Sequence, residues 1–78
     1  MIDEKKYLQI VSESKADITP FFDLAISQKD FRDILVKHLL DTESINVYYH
    51  SYLILNETTK SKPSLFYYYW KKFSLLLQ

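Results

Sequence analysis

Apolar residues recur along this chain at the spacing of helix faces, and short polar breaks divide them into segments. Phe31, Ile34, Leu35, His38 and Leu39 fall at i, i+3, i+4, i+7 and i+8, with Arg32, Asp33 and Lys37 off the stripe, which predicts an amphipathic helix. Upstream, Tyr7, Leu8 and Val11 share a face in a predicted helix over about 2–13, whose first turns crowd Asp3, Glu4, Lys5 and Lys6. The run SESKAD breaks that period. Thr19 followed by Pro20 then marks a helix start, because Thr can cap and Pro at the first helical position gives up no needed donor. Phe21, Phe22, Leu24, Ala25 and Ile26 make the apolar side of this segment, and Ser27 with Asp30 three residues on predicts a restart at Ser27.

The turn DTES closes the Phe31 helix and offers Asp41 or Ser44 as a cap for the next one; so short a connection predicts antiparallel packing. The helix that follows, about 45–57, carries two stripes. Ile45, Tyr48, Tyr49, Tyr52 and Leu53 form one, while Val47, Ser51, Ile54 and Leu55 form the other. A helix apolar nearly all round is normally sandwiched between neighbours. NETTKSKP ends it, and Pro63 opens a last helix with Phe66, Tyr69, Trp70, Phe73, Leu76 and Leu77 on one face, widened by Leu65, Tyr67 and Tyr68. The pairs Leu39-Leu40 and Leu76-Leu77 close two similar segments about 37 residues apart, inside the roughly 20–50 residue range of helical repeats. The expectation is an all-α chain of four to five helices, a single domain over 1–78.

Composition narrows the function classes. The absence of Gly argues against sheet-rich folds and phosphate-cradling loops, both of which lean on left-handed backbone. Ten basic and ten acidic side chains cancel, so no long-range steering toward nucleic acid or anionic lipid is expected. No Cys excludes disulfides, thiolate nucleophiles and thiolate metal sites, and fits a reducing cytosol. No signal-peptide core opens the chain, and no window approaches the roughly 20 apolar residues of a membrane span. A cytoplasmic protein without a membrane association is expected. A chain of 78 residues has a thin core, which its 17% aromatic content helps to fill.

From Lys29 to Gln78 the residues resemble a HEAT repeat, the armadillo-like α-helical repeat class. The outer helix KDFRDILVKHLL ends in a leucine pair, the turn DTESIN contains Asp41, and the inner helix VYYHSYLIL places Val47, Ser51 and Leu55 where the family puts its Val, small residue and Leu. The segment KPSLFYYYWKKFSLLL is similar to the Pro-led opening of a second repeat. The resemblance implies antiparallel helical hairpins stacked as a HEAT-like α-solenoid, or superhelix. Its first helical repeat would cover 27–57, and the first helix of a second, incomplete repeat would cover 62–78. Tyr48 stands where the family commonly has an Arg that ladders with the turn Asp. The missing inner helix of the second repeat suggests the N-terminal piece of a longer solenoid, or an assembly completed by another chain.

Catalytic groups do not converge in this sequence. His38 lies on an apolar stripe, where a histidine bonded to backbone or water is the commoner case, and His50 has no His or carboxylate at i+3 or i+4, so a helical zinc pair is absent. Asp30, Asp33, Asp41 and Glu43 read as solvated helix ends and caps. No nucleophile, base and orienter line up, and a non-enzyme without metal or cofactor is expected. The tyrosines are the sharper candidates. Tyr48, Tyr49 and Tyr52, with His50 and Asn56, would lie on the concave side of a HEAT-like array and contact a protein partner, although such rings also fill gaps between helices. The leading expectation is therefore a protein-protein interaction scaffold. An alternative is a self-contained helical bundle of immunity or antitoxin type that forms a homo-oligomer through its C-terminal helix, with Phe66, Trp70, Phe73 and Leu77 as the seam. A third is a DNA-binding, HEAT-like glycosylase fragment, suggested by Tyr67, Tyr68, Trp70, Lys71 and Lys72 and weakened by the zero net charge.

Overall fold

The computed structural model describes residues 3–65. Among them the chain is all-helical: α1 spans Glu4–Val11, α2 Thr19–Ser27, α3 Lys29–Asp41 and α4 Ile45–Ser61, and residues 63–65 are also helical. No strand occurs among the described residues. The helix α4 packs against α1, α2 and α3, and is the element around which the others assemble. Residues 42–44 connect α3 to α4 tightly enough to pair them as a hairpin.

Local chemistry accounts for most of the boundaries. Asp3 caps α1, accepting from the Lys5 amide at 3.1 Å, and Ser44 caps α4, accepting from the Val47 amide at 3.3 Å. Pro20 sits in the first turn of α2 as expected, but Thr19 lies inside that helix, and the Asp17 carboxylate accepts from the Thr19 amide at 3.1 Å. The restart falls at Gln28, one residue beyond the Ser27 expectation. Extended backbone at Gln28 (φ −125°, ψ 112°) separates α2 from α3, and the Ser27 hydroxyl turns back to the Leu24 carbonyl at 3.4 Å, so no Ser27–Asp30 box forms. Four residues beyond the expected end at Glu57, α4 stops at Ser61. Thr58 and Thr59 donate to the Ile54 and Leu55 carbonyls, both at 2.8 Å, which occupies their hydroxyls inside the helix.

No described residue adopts positive φ, so no helix here ends in the left-handed cap that glycine usually supplies. Side chains from other helices take that role. The Arg32 Nη1 group, from α3, donates to the Ala25 and Ile26 carbonyls at 2.8 and 3.0 Å and closes the end of α2. At the end of α1 the four last carbonyls all have donors: the Ser12 amide serves Leu8, the Ser12 hydroxyl Gln9, the Glu13 amide Ile10, and the His50 ring Val11. The Asn46 amide reaches one residue further, to the Ser12 carbonyl at 2.8 Å. Asn46 and His50 stand one turn apart on α4, so a single helix face clamps the end of α1.

Tyr7, Phe21 and Phe31 make the centre of the core, with ring centroids 5.2 to 5.6 Å apart and Tyr7 edge-on to both phenylalanines. Val11, Ala25, Leu35 and Ile54 fill the space around them at full burial. Arg32 departs from the sequence reading. It lies off the apolar stripe of α3 yet is only 9% exposed, because its guanidinium is drawn inward to the carbonyls of α2.

Candidate functional site

The two stripes of α4 have opposite fates. Val47, His50, Ser51, Ile54, Leu55 and Thr58 face the other helices and are buried. Ile45, Tyr48, Tyr49 and Tyr52 face out, at 77%, 47%, 56% and 48% exposure. Their spacing of i, i+3, i+4 and i+7 confines them to one side of the helix. The rings do not fill gaps between the described helices, since each shows about half its surface. Half-buried Asn56 continues the line one turn beyond Tyr52. From Ile45 to Asn56 the helix holds no Asp, Glu, Lys or Arg, so three turns of surface are aromatic, aliphatic and uncharged. Charge returns at the ends: Asp41 and Glu43 are exposed just before α4, and Lys60 and Lys62 are exposed at its close.

One expected contact residue turns the other way. The proposed set placed His50 beside Tyr48, Tyr49, Tyr52 and Asn56, but His50 is 5% exposed and its Nδ1 lies 2.9 Å from the Val11 carbonyl. A carbonyl only accepts, so this nitrogen carries the proton and the ring serves to cap α1. The physical reason is angular. His50 follows Tyr49 by one residue, roughly 100° around the helix, which takes it to the inner side. Ile45 is the member that the sequence reading put on the stripe without counting it as a contact, and it is the most exposed of the four. The expected seam of Phe66, Trp70, Phe73 and Leu77 lies outside the described residues.

Glu4 and Tyr7 have displaced pKa values, and both are tied to the packing of α1. Glu4 accepts from Lys37 Nζ at 2.9 Å and bonds His38 Nε2 at 2.8 Å, and the hydrogen bonds from Lys37 and then His38 hold its carboxyl below the ordinary value. His38 is therefore partnered by a carboxylate from α1 and not by backbone. Burial pushes the Tyr7 phenol up to about 12, against a smaller opposing effect of its bond to Ser51. Among the described residues no three His, Cys, Asp or Glu side chains are placed to hold a metal ion, and no helix is long and apolar enough to cross a membrane.

The tyrosine-lined face of α4 thus defines the site by surface chemistry alone, as a candidate contact surface on an all-helical chain. No family model, curated protein or solved structure matches the sequence or the fold.

Proposed function

We propose that this chain is a protein-interaction module with no chemistry of its own, and that Ile45, Tyr48, Tyr49 and Tyr52 are its contact surface, with Asn56 at the edge. The exposed stripe on α4 carries the reading: these rings combine large apolar area with a polar tip and few rotors, the combination enriched at interface hot spots. The rest of the fold supports it by holding the stripe rigid. The opposite face of α4 is locked by Ile54, Leu55, the Tyr7–Ser51 bond and the His50 cap, so little side-chain or backbone order has to be created on binding. In this reading α3 and α4 are the outer and inner helices of one HEAT-like hairpin, the stripe lies on the concave side of a solenoid, and the setting is cytoplasmic, in keeping with a cysteine-free chain.

A photo-crosslinking residue placed at Tyr49 in the source cells tests it, with the same residue at exposed Lys5 on α1 as the control. The expected result is a discrete polypeptide adduct at position 49, absent at position 5 and lost when Tyr52→Lys is added. Equal labelling at the two positions, or an adduct indifferent to Tyr52→Lys, would show that the stripe is not a contact surface.

A further inference from the structure

We infer that the partner on this surface is a second copy of the chain, joined through an antiparallel α4–α4 contact; the inference rests on the interaction reading above. A two-fold interface puts the same patch on both subunits, so the patch has to complement itself. The centre of α4 meets that requirement because it carries no formal charge from Ile45 to Asn56, and pairing it with itself sets no like charges together. The ends of α4 then decide the direction. Asp41 and Glu43 are exposed at its start; Lys60, 67% exposed at the side chain and 3.8 Å from Glu57, and Lys62 are exposed at its end. An antiparallel pair brings the acidic end of each helix to the basic end of the other and opposes the two helix dipoles, whereas a parallel pair would set acid on acid and base on base. Seventeen residues make α4 roughly 25 Å long, the span that an antiparallel crossing has to follow for the charges at both ends to meet.

The available area bounds the size of the interface. Half of three tyrosine side chains and most of Ile45 come to on the order of 400 Å² per copy, taking about 150–250 Å² for each ring. Two copies, with the charged rim, reach roughly the 1,000 Å² at which a specific interface becomes plausible, well short of an obligate dimer. The contact expected is a reversible one.

Sedimentation equilibrium of the purified chain from roughly 5 µM to 1 mM is the test, read as Kd. The expected result is a reversible shift from the 9.4 kDa chain mass to twice that mass. Tyr49→Lys should weaken the dimer at least about 30-fold, the scale of an interface hot spot. Far-UV circular dichroism should be unchanged, since the residue is half exposed and outside the core. Reversing Asp41 and Glu43 to Lys should weaken it roughly threefold to tenfold, and adding Lys60→Glu with Lys62→Glu should restore it to within about twofold. A wild-type chain that stays monomeric throughout would overturn the second-copy inference, while a cross-linked adduct of different mass at Tyr49 would leave the interaction reading standing. A dimer insensitive to Tyr49→Lys, or one that the full charge swap does not restore, would overturn the antiparallel α4 contact.

Discussion

The Tyr7 hydroxyl lies 2.6 Å from Ser51 Oγ, a fully buried bond between residues 44 positions apart that joins α1 to the centre of α4. Each group is the other's solution to a burial problem, since an unpaired hydroxyl inside a protein costs about 1–3 kcal/mol whereas a satisfied one contributes about 1. The two ends of the bond are not equivalent. A serine on a helix can turn to a carbonyl of the preceding turn if its partner is lost, and a phenol held edge-on between Phe21 and Phe31 has no such choice.

Ser51→Ala should therefore destabilise the chain more than Tyr7→Phe, by about 2 kcal/mol against about 1, and the double variant should cost less than the sum. Urea denaturation of the four chains checks this, and strict additivity would show that the bond contributes nothing. The phenol also sets an alkaline limit. Its folded pKa of about 12 stands above the ordinary phenol value of 10.0 because burial penalises the phenolate, so the stability it confers is complete below pH 10 and is lost as pH rises toward 12. Tyr7→Phe should flatten that part of the stability profile.

Arg32 offers a second test, because its guanidinium substitutes for the glycine that this chain lacks. Removing it leaves the Ala25 and Ile26 carbonyls at the end of α2 without the donor that reaches them at 2.8 and 3.0 Å. Arg32→Met keeps most of the buried aliphatic stem and deletes only the donor, so a loss of about 2 kcal/mol measured by urea denaturation would belong to the carbonyls. The Arg32 Nε atom, buried without a partner, already carries a desolvation cost, and a methionine removes it. A neutral Arg32→Met variant would mean that this cost cancels the cap.

How far the sequence could be read depends on the kind of contact involved. Periodicity located the four helices and the short turn, and it grouped Val47, Ser51 and Leu55 in one of the two stripes of α4, the one that is buried, at 4%, 0% and 4% exposure. Turn chemistry named Ser44 among the possible caps. What periodicity could not supply was the role of polar side chains that bond across helices. Arg32 sits off its stripe and His50 beside a tyrosine, and both are buried because a carbonyl at the end of another helix lacks a partner, a fact visible only once that end is placed. The signal available beforehand was the absence of Gly: helix ends without left-handed caps need donors from elsewhere. For α4 the sequence showed two apolar stripes and no rule for choosing between them. The choice follows from size, since Ser51 and Val47 let α1 and α3 approach closely and the Tyr48, Tyr49 and Tyr52 side does not.

The contact from Glu4 to Lys37 and His38 is a polar tie between α1 and α3, and its effect should depend on pH in a definite direction. Hydrogen bonds from Lys37 and His38 lower the Glu4 pKa in the folded chain below the ordinary value of 4.5. A depressed carboxyl stabilises the fold fully above its unfolded pKa, and that stabilisation disappears as pH falls through the folded value. Glu4 is 37% exposed at the side chain and Lys37 60%, so solvent screening keeps the contribution below about 1 kcal/mol. Glu4→Gln should therefore be slightly less stable than the native chain at pH 7, and the gap should narrow at pH 3, because the native carboxyl loses its charge as pH falls through its lowered folded pKa. Raising the salt concentration at pH 7 should narrow the gap as well, because the pair lies at the surface. Thermal unfolding of both chains at the two pH values is sufficient. A gap as wide at pH 3 as at pH 7 would show that the charge of Glu4 does not carry its effect, and would remove the ion pair from the forces that hold α1 on the bundle.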